Sequence, residues 1–124
     1  MDKEQIAQDF SHLREDKRVL ALLVYGSKVK GTDHERSDTD ICVVAPEAET
    51  PDILLKALRN PEVQKKDYDV HVFEEMGVRL RHKVVEDHEI IWCRDLPKLK
   101  TYFHKNEKIW RDQAKARMEK GQKL

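Results

Sequence analysis

The stretch VYGSKVKGTDHERSDTDICVV, residues 24 to 44, joins two apolar segments through a polar connection and ends in two alternate aspartates. Because side chains on a strand alternate between its faces, Asp38 and Asp40 are predicted to point the same way. Two like charges held this close repel each other unless a cation lies between them, and hard oxygen ligands on a rigid strand suit Mg²⁺. The stretch therefore predicts a pair of metal-binding carboxylates.

The first part of the same stretch has the composition of a phosphate-binding loop. Gly26 lets the backbone approach a ligand, the N–H groups that follow can point at phosphate oxygens, and Ser27 adds a hydroxyl donor. The cations Lys28, Lys30 and Arg36 would offset the charge of a triphosphate. Taken alone, however, a Gly-Ser after a strand is usually only a turn, and Asp-x-Asp is common on surface strands.

The segment DYDVHVF, residues 67 to 73, alternates polar and apolar residues as a half-exposed strand should. One face is predicted to carry Asp67, Asp69, His71 and Phe73, and the other Tyr68, Val70 and Val72. If this strand lies beside the one that carries Asp38 and Asp40, then Asp69 completes a carboxylate triad. His71 is interpreted as a structural hydrogen-bonding residue and is left out of the catalytic set.

Hydrophobic periodicity predicts alternating helices and strands along the rest of the chain. The predicted strands are residues 18–26, 39–46, 67–73 and 88–95, and the predicted helices are residues 6–17, 50–60, 74–87 and 96–120. We expect Thr50 to cap its helix with Pro51 in the first position, and Asn60-Pro61 to end it. The fold class is therefore α/β or α+β, with a mixed four-stranded sheet flanked by helices.

Two of the predicted helices carry apolar stripes that should face the core. In the third helix the stripe is Met76, Leu80 and Val84, and in the last helix it is Leu99, Phe103, Ile109 and Trp110. The 124 residues are enough for one compact domain and too few for two, so residues 1–124 are predicted to form a single domain. The central part of this domain is expected in about residues 18–95, with the C-terminal helix after it.

The composition excludes some classes of function. Lys plus Arg number 24 and Asp plus Glu number 24, so no overall basic field recruits nucleic acid or an anionic membrane. Cys42 and Cys93 lie in apolar segments without metal-ligand spacing, which favours free thiols in a reducing compartment. The first residues lack the features of a signal peptide and no apolar run could span a bilayer, so a cytoplasmic protein is expected.

A three-part motif in this chain resembles a known signature. Gly26-Ser27, then ten residues, then Asp38-Thr39-Asp40, with a later Tyr68-Asp69-Val70, is similar to the signature of the DNA polymerase β-type nucleotidyltransferase superfamily, specifically its minimal nucleotidyltransferase (MNT) branch. The resemblance covers about residues 18–95 and implies the nucleotidyltransferase fold. One departure is Lys28, where many minimal members carry arginine, whose guanidinium can bind phosphate with two parallel hydrogen bonds.

The resemblance implies a role for each residue of the motif. Gly26 and Ser27, assisted by Lys28 and Lys30, would hold the triphosphate of ATP. The carboxylates Asp38, Asp40 and Asp69 would form the catalytic and metal-binding set, with two Mg²⁺ ions and with Asp69 near the attacking hydroxyl. Asp69 is preferred to Asp67 because the family flanks this carboxylate with hydrophobic residues. The implied chemistry is attack of a hydroxyl on the α-phosphorus, with pyrophosphate leaving.

The resemblance also implies a partner. MNT proteins resemble the antitoxin half of toxin–antitoxin pairs whose toxin is a helical HEPN-domain ribonuclease, and in that family AMP is transferred from ATP to a tyrosine of the toxin. Three hypotheses remain open: a protein adenylyltransferase acting on a HEPN partner, a non-catalytic antitoxin module that binds a partner by contact, and a nucleotidyltransferase with a small-molecule or RNA acceptor. A homo-oligomer is also compatible with the sequence.

Overall fold

A four-stranded sheet with helices on both faces forms the body of the protein. The structure is a computed structural model, and it describes residues 2–26 and 39–119, with side chains described up to residue 115. The strands are β1 (Ala21–Tyr25), β2 (Thr39–Val44), β3 (Tyr68–Val72) and β4 (His88–Cys93). The helices are α1 (Lys3–Asp9), α2 (Thr50–Leu58), α3 (Pro61–Lys65), α4 (Val78–Glu86) and α5 (Leu96–Glu119). Short 3₁₀ turns cover Ser11–Glu15 and Phe73–Glu75.

The strand order is β3-β2-β1-β4, which places β1 and β2 inside the sheet and β3 at one edge. β1 pairs antiparallel with β2 and with β4, whereas β2 and β3 run parallel. A parallel neighbour needs a crossover connection, and α2 and α3 supply it between β2 and β3. The predicted mixed sheet of four strands is confirmed.

Each face of the sheet packs on its own apolar layer. The layer under α1, α2 and α3 contains Ile6, Phe10, Leu13, Leu22, Val24, Ile41, Val43, Ile53 and Ala57. The layer under α4 and α5 contains Ala21, Leu23, Tyr25, Cys42, Val44, Val84, Leu99 and Phe103. Every side chain of β1 is buried, because the strand lies between two strands and between two helical layers.

Local predictions were wrong or incomplete near α2 and α4. α2 is capped by Glu49, without a side-chain hydrogen bond, so Thr50 is already its first helical residue. Asn60-Pro61 ends α2 but also begins α3, because the Asn60 side chain accepts from the Glu62 N–H at 2.8 Å and proline fits the first helical turn. Met76 is buried ahead of α4, not within it, since that helix begins after Gly77.

The last helix follows the core for only part of its length. Leu99 and Phe103 are buried as predicted, but Ile109 is 47% exposed. Beyond Phe103 the helix contacts α4, where the Trp110 ring stacks on the His82 ring with centroids 4.2 Å apart.

Both cysteines are free thiols, Cys42 buried and Cys93 partly exposed. No helix within the described ranges is long and apolar enough to cross a membrane.

The loop before β1 contains a buried carboxylate whose ionisation should make the fold acid-sensitive. Hydrogen bonds from Arg18 and from Lys56 hold the pKa of Asp16 well below its usual range, although burial opposes them. A lowered pKa in the folded state stabilises the protein above the unfolded value of about 4, and this stabilisation is lost as the pH falls further.

We therefore expect Asp16→Asn to lower the free energy of unfolding by about 1.5–3 kcal/mol at pH 7 and to flatten its dependence on pH below about 4. Urea unfolding measured from pH 7 down to pH 2.5 checks this. Asp112→Asn, an exposed aspartate on α5, is the control and should keep the wild-type slope. An Asp16→Asn curve parallel to the wild type would refute this assignment.

Candidate functional site

Three residues from neighbouring strands form a row across the sheet. Tyr25 of β1 pairs with Asp40 of β2, and Asp40 in turn pairs with Asp69 of β3. Residues directly opposite each other in a sheet share a face, and neighbouring strands lie about 4.8 Å apart. The fold therefore brings Asp40 and Asp69 together on the face that α4 and α5 cover, at the end of the sheet where β1 stops.

Gly26 closes this row on the β1 side. Its φ of +84° lies in the left-handed region, which residues that have a Cβ rarely adopt. A Cβ built on Gly26 would lie 2.5 Å from the Oδ2 atom of Asp40, closer than real contacts allow. The chain thus needs glycine here for two reasons, the turn after β1 and the close approach of the backbone to the Asp40 carboxylate.

Asp69 is open to a ligand and has a histidine beside it. The Asp69 side chain is 50% exposed, and its Oδ1 atom lies 3.0 Å from Nε2 of His71. The two residues are two positions apart on β3, so strand alternation places them on one face. His71 was expected to be a structural hydrogen-bonding residue, and its observed contact is with the candidate carboxylate itself.

Tyr25 forms the buried floor of the row. Burial, and then the negative charges of Asp40 and Asp69, raise the pKa of the Tyr25 phenol. The phenol therefore stays protonated at neutral pH, and both aspartates lie close enough to act on it electrostatically. Sequence analysis included Tyr25 only within the predicted strand of residues 18–26, and its position next to Gly26 at the end of that strand was the signal that could have assigned it to the site.

A buried carboxylate anchors β3 from the opposite face of the sheet. Asp9 of α1 accepts a hydrogen bond from the Tyr68 hydroxyl at 2.6 Å and from Lys66 Nζ at 2.8 Å. Burial disfavours the charged form of Asp9, but these donors together lower its pKa. Tyr68 directly precedes Asp69, so this network fixes the start of the strand that carries the candidate carboxylate.

We expect Tyr68→Phe to lower the free energy of unfolding by about 1.5–3 kcal/mol, because it removes a donor from a buried charged group. Denaturant unfolding checks the loss. A double-mutant cycle with Asp9→Asn separates this contact from general effects of each substitution, and a coupling energy above about 0.5 kcal/mol is expected. If the stability losses of the two single variants simply add in the double variant, the hydrogen bond between Tyr68 and Asp9 contributes little to stability.

The remaining predicted site residues lie outside the described ranges. They are Ser27, Lys28, Lys30 and Asp38, together with Arg36 of the same connection. Within the part of the chain that the structure describes, no group of three or more His, Cys, Asp or Glu side chains is arranged to hold a metal ion. The two predicted ligands inside that part, Asp40 and Asp69, do lie together, and their carboxylates are the hard oxygen donors that Mg²⁺ prefers.

Two sequence comparisons find relatives of this chain. The sequence profile of the family described as "Polymerase beta, Nucleotidyltransferase" matches residues 5–96. A protein of Methanocaldococcus jannaschii named "Putative protein adenylyltransferase" is 35% identical over 98 residues, which are 79% of this chain and 75% of that protein.

Solved structures share the fold over nearly the whole chain. A crystal structure of a toxin–antitoxin with AMP-PNP superposes with a TM-score of 0.73 at 19% identity, over 95% of this chain and 94% of that chain. A complex of tri-AMPylated Shewanella oneidensis HEPN toxin with MNT antitoxin gives a TM-score of 0.66 at 14% identity, over 94% and 89% of the two chains. The architecture is therefore that of MNT antitoxin structures.

Proposed function

Because the chain belongs to the polymerase β nucleotidyltransferase family, we propose that it transfers AMP from ATP to a hydroxyl group of a partner protein. One observation carries the proposal: two carboxylates, Asp40 and Asp69, face each other across neighbouring strands, directly beside a glycine whose Cβ would collide with Asp40. A surface needed only for binding has no use for clustered acids and a left-handed glycine in one place.

Each residue has a part in the proposed reaction. The backbone after Gly26, with Ser27, Lys28 and Lys30, binds the triphosphate, since N–H groups and cations suit phosphate oxygens. Asp38, Asp40 and Asp69 hold the divalent ions, and Asp69 also accepts the proton of the attacking hydroxyl. Mg²⁺, when bound, supplies charge stabilisation at the entering and leaving oxygens. The two free cysteines suit a reducing cytoplasm, where ATP is available.

We propose a HEPN-domain toxin as the partner and a tyrosine as its acceptor. The fold is shared with an antitoxin whose HEPN toxin is described as tri-AMPylated, and the relative in M. jannaschii carries an adenylyltransferase name. In this role the protein is an antitoxin that silences the toxin by modifying it. The same arrangement would serve a monomer or a homo-oligomer.

A second candidate is a non-catalytic antitoxin that neutralises its partner by contact. The observation that favours it is a cavity of about 150 Å³ between α4 and α5, with a mostly apolar lining. The half-exposed Ile109 lies at this cavity beside Trp110. Exposed apolar surface of this kind often marks a protein interface. Both candidates bind the partner, and they differ in that the non-catalytic antitoxin transfers no AMP to it.

The test is to incubate the purified protein with Mg²⁺, the proposed HEPN partner and ATP labelled either at the α- or at the γ-phosphate. We expect label on the partner from α-labelled ATP alone, because the α-phosphorus is attacked and pyrophosphate leaves. The variant Asp38→Asn/Asp40→Asn should give none. Label from γ-labelled ATP would indicate a kinase, and no label despite tight partner binding would establish the non-catalytic antitoxin.

A further inference from the structure

The solvent side of α5 carries a row of positive charge. In residues 96–115, Lys and Arg number six and Asp and Glu number two, whereas the whole chain has a formal net charge of zero. Five residues recur there at helical spacing, and all of them are exposed: Lys100, His104, Lys108, Arg111 and Lys115. These five residues form the basic face of α5.

The basic face points away from the body of the protein. Residues three or four positions apart lie one above the other on a helix, because 3.6 residues make one turn. The other side of α5 holds Leu99 and Phe103, which are buried, and Trp110, which stacks on His82 of α4. The basic face is therefore turned to solvent over its whole length, about 22 Å at a rise of 1.5 Å per residue.

The charges of the basic face are not balanced within the protein. Among the described residues, Lys100, Lys108 and Arg111 form no ion pair. Glu107 of the same helix lies 3.5 Å from His82 instead, on the side that faces α4. Cations three or four residues apart on a helix repel each other, so a row of them is unfavourable for the helix alone. An external polyanion would relieve this repulsion.

We propose that the basic face of α5 binds the phosphate backbone of a nucleic acid. The inference goes beyond the proposed adenylyl transfer and does not depend on it, because no residue of the basic face belongs to the row formed by Tyr25, Asp40 and Asp69. A chain without an overall basic field can still hold a polyanion where its positive charges are gathered on one helix.

The length and chemistry of the basic face suit a phosphate backbone. One strand of duplex DNA presents a phosphate every 3.4 Å or so along the axis, so a segment as long as the basic face carries about six phosphates. Lysine brings a compact charge on a flexible stem, and arginine brings a fork that matches phosphate oxygens. Each of the four Lys and Arg residues can therefore neutralise one phosphate and release the counterion bound to it.

The composition of the basic face disfavours two other anionic partners. The core of a protein–protein interface is enriched in aromatic residues and depleted in lysine, and the basic face contains no apolar residue. A helix that lies on a membrane inserts its apolar side into the lipid, but the apolar residues Leu99 and Phe103 are buried in the protein. Nucleic-acid interfaces, by contrast, are polar and strongly positive.

Fluorescence anisotropy tests the proposal with three labelled probes of mixed sequence: single-stranded RNA, single-stranded DNA and duplex DNA. Each is titrated with the purified protein at salt concentrations from about 50 to 300 mM. We expect the logarithm of the binding constant to fall with the logarithm of the salt concentration with a slope of about −3 to −4, since four contacts each release 0.7–0.9 counterion or so. The probe bound most tightly shows whether RNA or DNA is the preferred source of the backbone.

The variant Lys100→Gln/Lys108→Gln/Arg111→Gln removes three of the four charges. We expect it to raise Kd by about a hundredfold or more at about 50 mM salt and to reduce the slope to about −1, because one contact remains. Urea unfolding should show no loss of stability, since the substitutions relieve repulsion between neighbouring cations. This measurement separates lost binding from lost folding.

The matched control is Lys17→Gln/Arg59→Gln/Lys83→Gln, which removes two lysines and one arginine from exposed positions on three other segments. It has the same net charge as the first variant and should keep Kd within about threefold of wild type. Equal losses in both variants, or no binding of any probe at about 50 mM salt, would overturn the proposal.

Two competitors distinguish nucleic acid from other polyanions. Polyglutamate and phosphatidylserine vesicles, each at the same concentration of negative charge as the probe, should displace it only weakly. If the protein binds either of them and no nucleic acid, the basic face belongs to an acidic protein or to a membrane surface instead. A protein that binds the probes but transfers no AMP would refute the proposed function and leave this inference standing.

Discussion

Asp69→Asn is expected to lower the rate of AMP transfer by about 10²–10⁴-fold, the usual contribution of a positioned proton acceptor. Asparagine keeps the shape of the side chain but can neither accept the proton nor bind a cation as a charged ligand. The substitution should lower kcat and kcat/KM by similar factors, since the interaction matters most in the transition state. Transfer of label from α-labelled ATP in single-turnover reactions measures the loss.

Asp67→Asn is the control for this substitution. Asp67 directly precedes β3 and lies two positions from Asp69, and its backbone carbonyl accepts from the Thr39 N–H at 2.9 Å. Its side chain is not part of the row formed by Tyr25, Asp40 and Asp69, so transfer should remain within about threefold of wild type. Equal losses from both substitutions, or loss from Asp67→Asn alone, would contradict the choice of Asp69.

Gly26→Ser should have the second large effect. The left-handed backbone conformation costs a residue that has a Cβ about 1–2 kcal/mol. The new Cβ must also displace the Asp40 carboxylate from its position. We expect the free energy of unfolding to fall by about 2 kcal/mol and transfer to fall by about a hundredfold or more, since Asp40 would be displaced from the position proposed for a metal ligand. Urea unfolding and labelling assays give the two values.

Gly77→Ser is the matched control for stability. The same side chain enters a glycine with an ordinary φ and open surroundings, and serine is a good N-cap residue for α4. The free energy of unfolding should stay constant or rise by about 0.5 kcal/mol. If Gly26→Ser were no more destabilising than Gly77→Ser, the close approach of Gly26 to Asp40 would not exist in solution.

The local part of the site could be predicted because strand alternation is a local rule. It placed Asp69 and His71 on one face of β3 and Tyr68 on the other, and the structure agrees. Whether β2 and β3 are neighbours depends on a parallel pairing across the α2–α3 crossover, which no short segment encodes. The sequence could therefore predict that Asp40 and Asp69 are close only if β2 and β3 were neighbours. The structure shows that these strands are neighbours and that the two aspartates are paired.

The features that sequence analysis missed depend on contacts between distant segments. Asn60-Pro61 carries both a stop and a start signal, so the extra helix α3 could not be separated from a simple end of α2. The stacking of Trp110 on His82, and the exposure of Ile109, follow from how far α5 extends along α4. Periodicity assigned Ile109 and Trp110 to the same stripe as Leu99 because it contains no information on where a core ends.

The most direct test of adenylyl transfer is the intact mass of the partner protein after reaction with ATP and Mg²⁺, measured with wild type and with Asp40→Asn. Wild type should increase the partner's mass by one AMP or a multiple of it, located on tyrosine by fragmentation, and Asp40→Asn should leave the mass unchanged while still binding the partner. An unmodified partner to which the wild-type protein is nevertheless bound, or equal modification by both proteins, would contradict the account.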